Sequence, residues 1–255
     1  MQGASDAARV QLCGTFAVEL AGRRVNQALP GRQGRLLFAY LTLSRLQPVP
    51  RDVLVDALWG ESPPPAAASA LTVLVSKVRT AVGQDVLRGR TELAVALPEP
   101  AYVDVEDAFG ALHAAESALA RQDWRKAWAP ALTAQFVTRR RFLPEADQPW
   151  ADPWRRRLAD VHVRALECYA TACLRLGGGE LPGAERAARE LLEVAPLRET
   201  GQPAADGVAV RPGQRRRGAG CVRATAGAAA RVARRRPVPG RPGHVRATAG
   251  LTGWR

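Results

Sequence analysis

Apolar and polar positions along the first hundred residues follow two different periods. Val10, Leu12, Phe16, Val18 and Leu20 alternate with their neighbours on either side of Gly14, a period-two pattern that predicts a short hairpin or paired strands. Arg23 to Asn26 follow a turn at Gly22 and predict a third strand. The period then lengthens. GRLLFAYLTLS, from Gly34 to Ser44, is apolar almost all round, as a central helix is. Arg51 to Trp59, after Pro50, predict a second short helix with Leu54, Leu58 and Trp59 inward. GESPPP ends it, because three prolines cannot continue a helix.

Ala66 to Val82 predict a third helix with two separated faces, stopped by Gly83. Leu71, Leu74, Val75, Val78 and Val82 gather on one side at about 100° per residue. Ser69, Thr72, Val73, Ser76 and Thr80 gather on the other, flanked by Lys77 and Arg79. Asp85 to Leu97 alternate around Gly89-Arg90 and predict a hairpin with Arg88 and Arg90 at its tip. Strands, three helices and a hairpin, in that order, predict a winged helix-turn-helix over 9–100. A helix face of small hydroxyls bracketed by cations suits a major groove: hydroxyls approach base edges closely, and cations release counterions. The hairpin would lie along the backbone or minor groove. Any soluble helix shows a polar outer face too, so the surrounding architecture carries much of this reading.

From about 102 the period is helical throughout. Val103 opens a helix to about Arg121, with Phe109, Leu112, Ala115 and Leu119 in one stripe. Asp123 to about Phe136 predict its antiparallel partner, carrying Trp124 and Trp128, and Leu143 to Pro149 an acidic loop. Trp150 to Leu176 predict a long helix with Leu158, Val161, Ala165, Tyr169 and Cys173 inward. After Gly177-Gly178-Gly179, Leu181 to Ala195 predict a last helix with Ala184, Ala188, Leu191 and Leu192 inward. Paired helices with alanines at the contact predict a tetratricopeptide-like helical domain over 102–200, which needs neighbours to cover its open faces. The fold class expected is mainly α with a small β component.

Net charge changes this picture less than its size suggests. The total is +13, yet residues 1–200 carry 25 basic and 23 acidic side chains, and 201–255 carry 12 and 1. After Thr200 the chain becomes Arg, Ala, Gly, Pro, Val and Thr, with no leucine before Leu251 and no helical period. Back-translated and read one nucleotide later, this segment permits Ser-Arg-Leu-Leu-Met and then RGNVAEAL, VYE and LRELLR, an amphipathic helical pattern. Two readings stand for 201–255: a frameshift near Glu199 to Gln202, which truncates the helical domain, or a genuine basic tail that binds nucleic acid without sequence preference. Either predicts a disordered segment.

Candidate chemistry is sparse. Cys13, Cys168, Cys173 and Cys221 form no CxxC pair and His numbers three, so no zinc site is expected; the cysteines read as reduced core thiols. No P-loop, GxSxG or HExxH motif occurs. His113 and His162 read as surface or packing residues. No enzyme activity, cofactor, metal or catalytic residue is expected. The runs Arg139-Arg140-Arg141 and Arg155-Arg156-Arg157 read as a solvated face or as salt-bridge partners. The amino terminus lacks a signal-peptide pattern, and no stretch approaches the ~20 apolar residues of a membrane span. A cytoplasmic protein without membrane contact is expected.

Several segments together resemble the bacterial transcriptional activator domain family, including the SARP-like regulators of actinobacteria. They are LCGTFAVELAGR (12–23), GRQGRLLFAYL (31–41), RDVLVDALWGESPPPAAASALTVLVSKVRTAVG (51–83), PWADPWRRRLADVHVRALECYA (149–170) and LGGGELPGAERAARELLEVAPLRETG (176–201). The resemblance covers about 10–201 and is strongest over 51–83. It implies an OmpR-type winged helix, a tetratricopeptide-like activator domain, and a transcriptional activator that binds double-stranded promoter DNA. It implies that the helix with Ser69, Thr72, Ser76, Lys77 and Arg79 is the recognition helix, that Arg88 and Arg90 sit in the wing, and that the helical domain dimerises or contacts RNA polymerase. The GRT wing tip departs from the family's Gly-Tyr close, for which Ala101-Tyr102 is the nearest stand-in. The competing functions are a protein-interaction adaptor with a winged helix that binds no DNA, favoured by the near balance of 11 basic and 8 acidic residues in 1–100, and a non-functional frameshifted product.

Overall fold

A computed structural model of the chain describes residues 7–195. The segment 201–255, with its frameshift or basic-tail reading, and Cys221 lie outside the described residues. Three short strands come first: β1 (Ala8–Gln11), β2 (Ala17–Leu20) and β3 (Arg23–Arg24). Ala21 and Gly22 both take positive φ, 47° and 73°. Two consecutive positive φ values fit the right-handed twist of a tight hairpin. Helix α1 (Gly31–Leu43), strand β4 (Val49–Pro50) and helices α2 (Arg51–Trp59) and α3 (Ala67–Val82) follow, then the hairpin β5 (Leu87–Arg88) and β6 (Glu92–Val95).

Two of the strands pair in ways the sequence pattern does not announce. β4 pairs antiparallel with β6, so the hairpin belongs to a three-stranded sheet of order β4-β6-β5. Strand β7 (Ala101–Val103) returns to the first sheet and pairs parallel with β1, giving the order β3-β2-β1-β7. Tyr102 therefore stands opposite Arg9 in that sheet, with the Arg9 guanidinium 5.9 Å above its ring. Ala101-Tyr102 closes the amino-terminal sheet, not the wing, which corrects its reading as a stand-in for the wing close.

The helical region contains α4 (Asp104–Ala120), α5 (Trp124–Thr138), α6 (Ala151–Leu176), a 3-10 turn at Gly178–Glu180 and α7 (Leu181–Val194). Each helix packs on the next in sequence. The inward stripe of α6 is as expected, with Leu158, Val161, Ala165, Tyr169 and Cys173 all buried. Leu192 differs. It is 45% exposed, whereas Ala184, Ala187 and Ala188 bury, so α7 meets α6 through its alanine edge. Gly183 marks how close that approach is: an added Cβ would lie 2.9 Å from the Tyr169 hydroxyl and 3.1 Å from Cys173 Sγ.

The winged helix and the helical region share a core. One buried cluster runs from Val10, Leu37 and Leu71 through Val105 and Ala108 to Phe142, Leu143 and Leu158. At the junction the Asp104 carboxylate accepts hydrogen bonds from the backbone N–H of Leu12 and Cys13, both 2.9 Å. Burial raises the Asp104 carboxyl above its ordinary range, against the downward pull of these two N–H groups and of Arg140. Burial likewise pushes the neighbouring Cys13 thiol up to about 12, so it stays protonated. The loop after α5 lies across the winged helix. Leu143 N–H donates to Leu12 O at 2.9 Å, and Gly14 N–H to Arg141 O at 2.8 Å. Glu145 and Asp147 pair with Arg35 and Arg32, both at 2.6 Å. Trp150 Nε1 donates to Ala57 O at 2.9 Å while its ring meets Tyr40 edge-on at 5.1 Å.

Of the two arginine runs, Arg139, Arg141, Arg156 and Arg157 are exposed, and Arg155 reaches into the junction. Arg155 pairs with Asp152 at 2.8 Å and donates to the carbonyls of Leu143 (3.1 Å) and Ala146. Arg157 stacks on Phe109 and Trp154, at 4.8 and 5.1 Å. Arg139 reaches Glu190 at 3.7 Å. His162, on α6, is buried between Thr138 Oγ1 (3.0 Å) and Glu190 Oε1 (3.2 Å).

Candidate nucleic-acid interface

The α3 helix is amphipathic because its apolar residues recur at three- and four-residue steps. Leu71 and Val78 are fully buried, and Val75 and Val82 nearly so. The opposite side is open. Ser69, Thr72, Val73, Ser76, Lys77 and Thr80 are all exposed, and they span roughly 140° of the helix surface at 100° per residue. No other described element covers this face.

The hydroxyls on it are not equivalent. Thr72 Oγ1 donates to Ala68 O at 2.9 Å and accepts from Arg51 Nη2 at 2.7 Å, so it is occupied on both sides. Thr80 Oγ1 donates to Ser76 O at 3.1 Å, which turns its lone pairs outward as acceptors. Ser69 and Ser76 leave their hydroxyls open. Val73 is 54% exposed and carries the face's apolar surface.

The cations divide in the same way. Lys77 is exposed on the edge of the face away from the hairpin. Arg79, expected as a flanking cation for DNA, is half-buried on the hairpin side. Its Nε donates to Leu87 O at 3.0 Å, and Nη2 donates to Gly89 O. It braces the wing against α3. Arg88 and Arg90 are exposed in the wing, Arg88 with Nε on Asp85 O at 2.7 Å. The turn between them depends on glycine: Gly89 has φ 91°, and a Cβ there would sit 1.9 Å from Glu92 O.

Arg51 is the residue that sequence reasoning missed. It opens α2, yet its guanidinium spans to Thr72 on α3 and to Arg90 O at the wing tip, 3.1 Å away. Its position directly after Pro50 in the pattern PVPR marks a helix start and says nothing of this reach. Arg51 and Arg79 together fix the wing to the exposed helix face through three backbone carbonyls. Four planar N–H donations hold one fork-like geometry at each guanidinium.

Among the described residues no group of three or more His, Cys, Asp or Glu side chains could hold a metal ion, and no helix is long and apolar enough to cross a membrane. The three cysteines described, Cys13, Cys168 and Cys173, are buried free thiols.

No protein-family model matches the chain, and no curated protein does. Among solved structures it is similar to Mycobacterium tuberculosis EmbR, determined in complex with a low-affinity phosphopeptide, at 24% identity and a TM-score of 0.66. The match covers 75% of this chain and 52% of that one, so the chain spans about half the length of EmbR. This likeness concerns the fold, a mainly α chain with a small sheet component in which a winged helix precedes a helical domain.

Proposed function

We propose that this chain is a sequence-specific DNA-binding transcriptional regulator, an activator of the SARP-like type, acting in the cytoplasm by binding and not by catalysis. The observation that carries this is the open face of α3, with Ser69, Val73, Ser76, Lys77 and Thr80 exposed beside a wing locked in place. In this reading α3 enters the major groove of promoter DNA. Lys77 meets a phosphate on one side, and Arg88 and Arg90 meet the backbone or minor groove on the other. The helical region, joined to the winged helix by a shared core, presents the surface for RNA polymerase or for a second copy.

Fluorescence anisotropy on duplex DNA across a salt series tests this. Affinity falls linearly with log salt, with a slope of about −0.9 for each phosphate neutralised. Lys77→Ala, Arg88→Ala and Arg90→Ala each flatten the slope by about 1. A second reading, a protein-interaction adaptor, draws on the near balance of charge in the first hundred residues. Affinity below detection for duplexes from upstream of neighbouring genes, at low salt, would favour the adaptor.

A further inference from the structure

Val73 lies near the middle of the exposed arc of α3, one turn from Ser69 and one turn from Ser76 or Lys77. A single exposed valine on a protein surface needs no explanation. Its surroundings give this one a meaning. Ser69, Ser76 and Thr80 are short, so no longer side chain on the arc's centre holds the groove floor away from it. A valine in a helix is held in essentially one χ1 rotamer, so its two methyl groups occupy a fixed position. It offers neither donor nor acceptor to a phosphate or a base edge.

The arginines suited to reading guanine are committed elsewhere. Arg51 gives its guanidinium to Thr72 and Arg90 O, and Arg79 to the carbonyls of Leu87 and Gly89. What remains on the centre of the face is two open hydroxyls, one outward acceptor and one branched apolar side chain. In the major groove, the apolar feature at base edges is the 5-methyl group of thymine. Cytosine presents there a donor amine that valine leaves unpaired.

We infer that Val73 is a specificity-determining residue that packs on the 5-methyl group of a thymine, so the preferred site carries a thymine at the base pair beneath it. This rests on the DNA-binding reading above and adds a base to it. Contact with the methyl attracts thymine, and the unpaired amine rejects cytosine.

The test uses the full 255-residue chain and a duplex sequence that it enriches from a randomised library. Each thymine of that duplex is replaced singly by deoxyuridine, which removes the methyl and changes no Watson–Crick group. At one position the wild-type chain loses about fourfold in affinity, the ~0.8 kcal/mol of one buried methyl-sized group. Val73→Ala binds the thymine and uracil duplexes equally at that position. Because the decisive change is made in the DNA, folding of the variant does not confound it. If uracil is neutral at every position, or the loss persists in Val73→Ala, the inference fails while the DNA reading stands. If no duplex sequence is enriched, both fail.

Discussion

Around α3 the core is built from leucine and valine, with Leu71, Val75, Val78, Leu87 and Leu93 buried against Leu37 and Phe38. Between α5, α6 and α7 alanine predominates, with Ala127, Ala131, Ala134, Ala165, Ala172, Ala184 and Ala187 buried alongside Val161, Leu166 and Tyr169. Large side chains let the winged helix close a core from short elements and leave its functional face to polar residues. Alanine brings helix axes close and buries little area per contact, so the helical region relies on length and on neighbours. Its far end shows this: Leu181, Leu192 and Val194 on α7 are 44–47% exposed. The two regions should therefore fail in opposite ways, one by losing volume and the other by gaining it.

Loss of volume in the winged helix has the largest expected effect. Leu71→Ala removes a fully buried side chain from the inner face of α3 and should cost about 2–5 kcal/mol. The check is the denaturant midpoint at unchanged m-value. A cost below about 1 kcal/mol would mean that the site collapses freely and that the core is not close-packed.

The junction comes next. In Asp104→Asn one amide oxygen replaces two carboxylate oxygens, so one of the Leu12 and Cys13 N–H groups faces an NH2 donor. The expected cost is about 2 kcal/mol at neutral pH. Its pH dependence has a definite sign. The native carboxyl is held above its ordinary 3.8 chiefly by burial, so the native state binds a proton at a higher pH than the unfolded chain. Wild-type stability from this group therefore rises as pH falls from the raised native value towards 3.8. Asparagine lacks this response, so the gap between wild type and Asp104→Asn should widen on acidification across that window. A gap that narrows there would overturn the assignment.

Gain of volume in the helical region is milder. Gly183→Val sets a Cβ 2.9 Å from the Tyr169 hydroxyl and adds two methyl groups behind it. The expected cost is about 1–3 kcal/mol by overpacking, seen in thermal melts. Because one buried cluster crosses the junction and Phe109 packs on both it and the cluster beneath α7, one unfolding transition is expected for this variant, where independent domains would give two.

The same contrast decides what the sequence shows. Helices α1 to α7 are legible because aliphatic residues recur at helical steps, and the buried and open faces of α3 follow from that period alone. Strands β4 and β7 are two and three residues long. They exist through their partners Leu93–Glu92 and Ala8–Val10, and no local pattern marks them. The interface is half legible for a similar reason. Exposure of Ser69, Val73, Ser76, Lys77 and Thr80 follows from the helical wheel. The bracing by Arg51 and Arg79 does not, because their acceptors are backbone carbonyls, which the sequence lists identically at every position. The sequence pattern puts Leu192 inward, where the structure exposes it, because the period of α7 is satisfied equally by an alanine edge and a leucine edge. Packing distance at Gly183 chooses the alanine edge.

The smallest expected effect on stability belongs to Arg51, and it separates the braced wing from the open end of α7. Arg51→Ala removes one side-chain donor pair near the surface and should change stability by under about 1 kcal/mol. It leaves Arg88, Arg90 and Lys77, the cations expected to meet phosphate, in place. Yet the wing tip loses its tie to α3 at Arg90 O, and binding must then order it. Affinity for duplex DNA should fall by about three- to tenfold, the worth of one to two hydrogen bonds, with the salt slope nearly unchanged. Arg51→Lys carries the same charge on a side chain that lacks the fork needed to span Thr72 and Arg90 O together, so it should bind like Arg51→Ala. Recovery of wild-type affinity by lysine, or a salt slope flattened by about 1 in Arg51→Ala, would make Arg51 a phosphate contact instead of a brace.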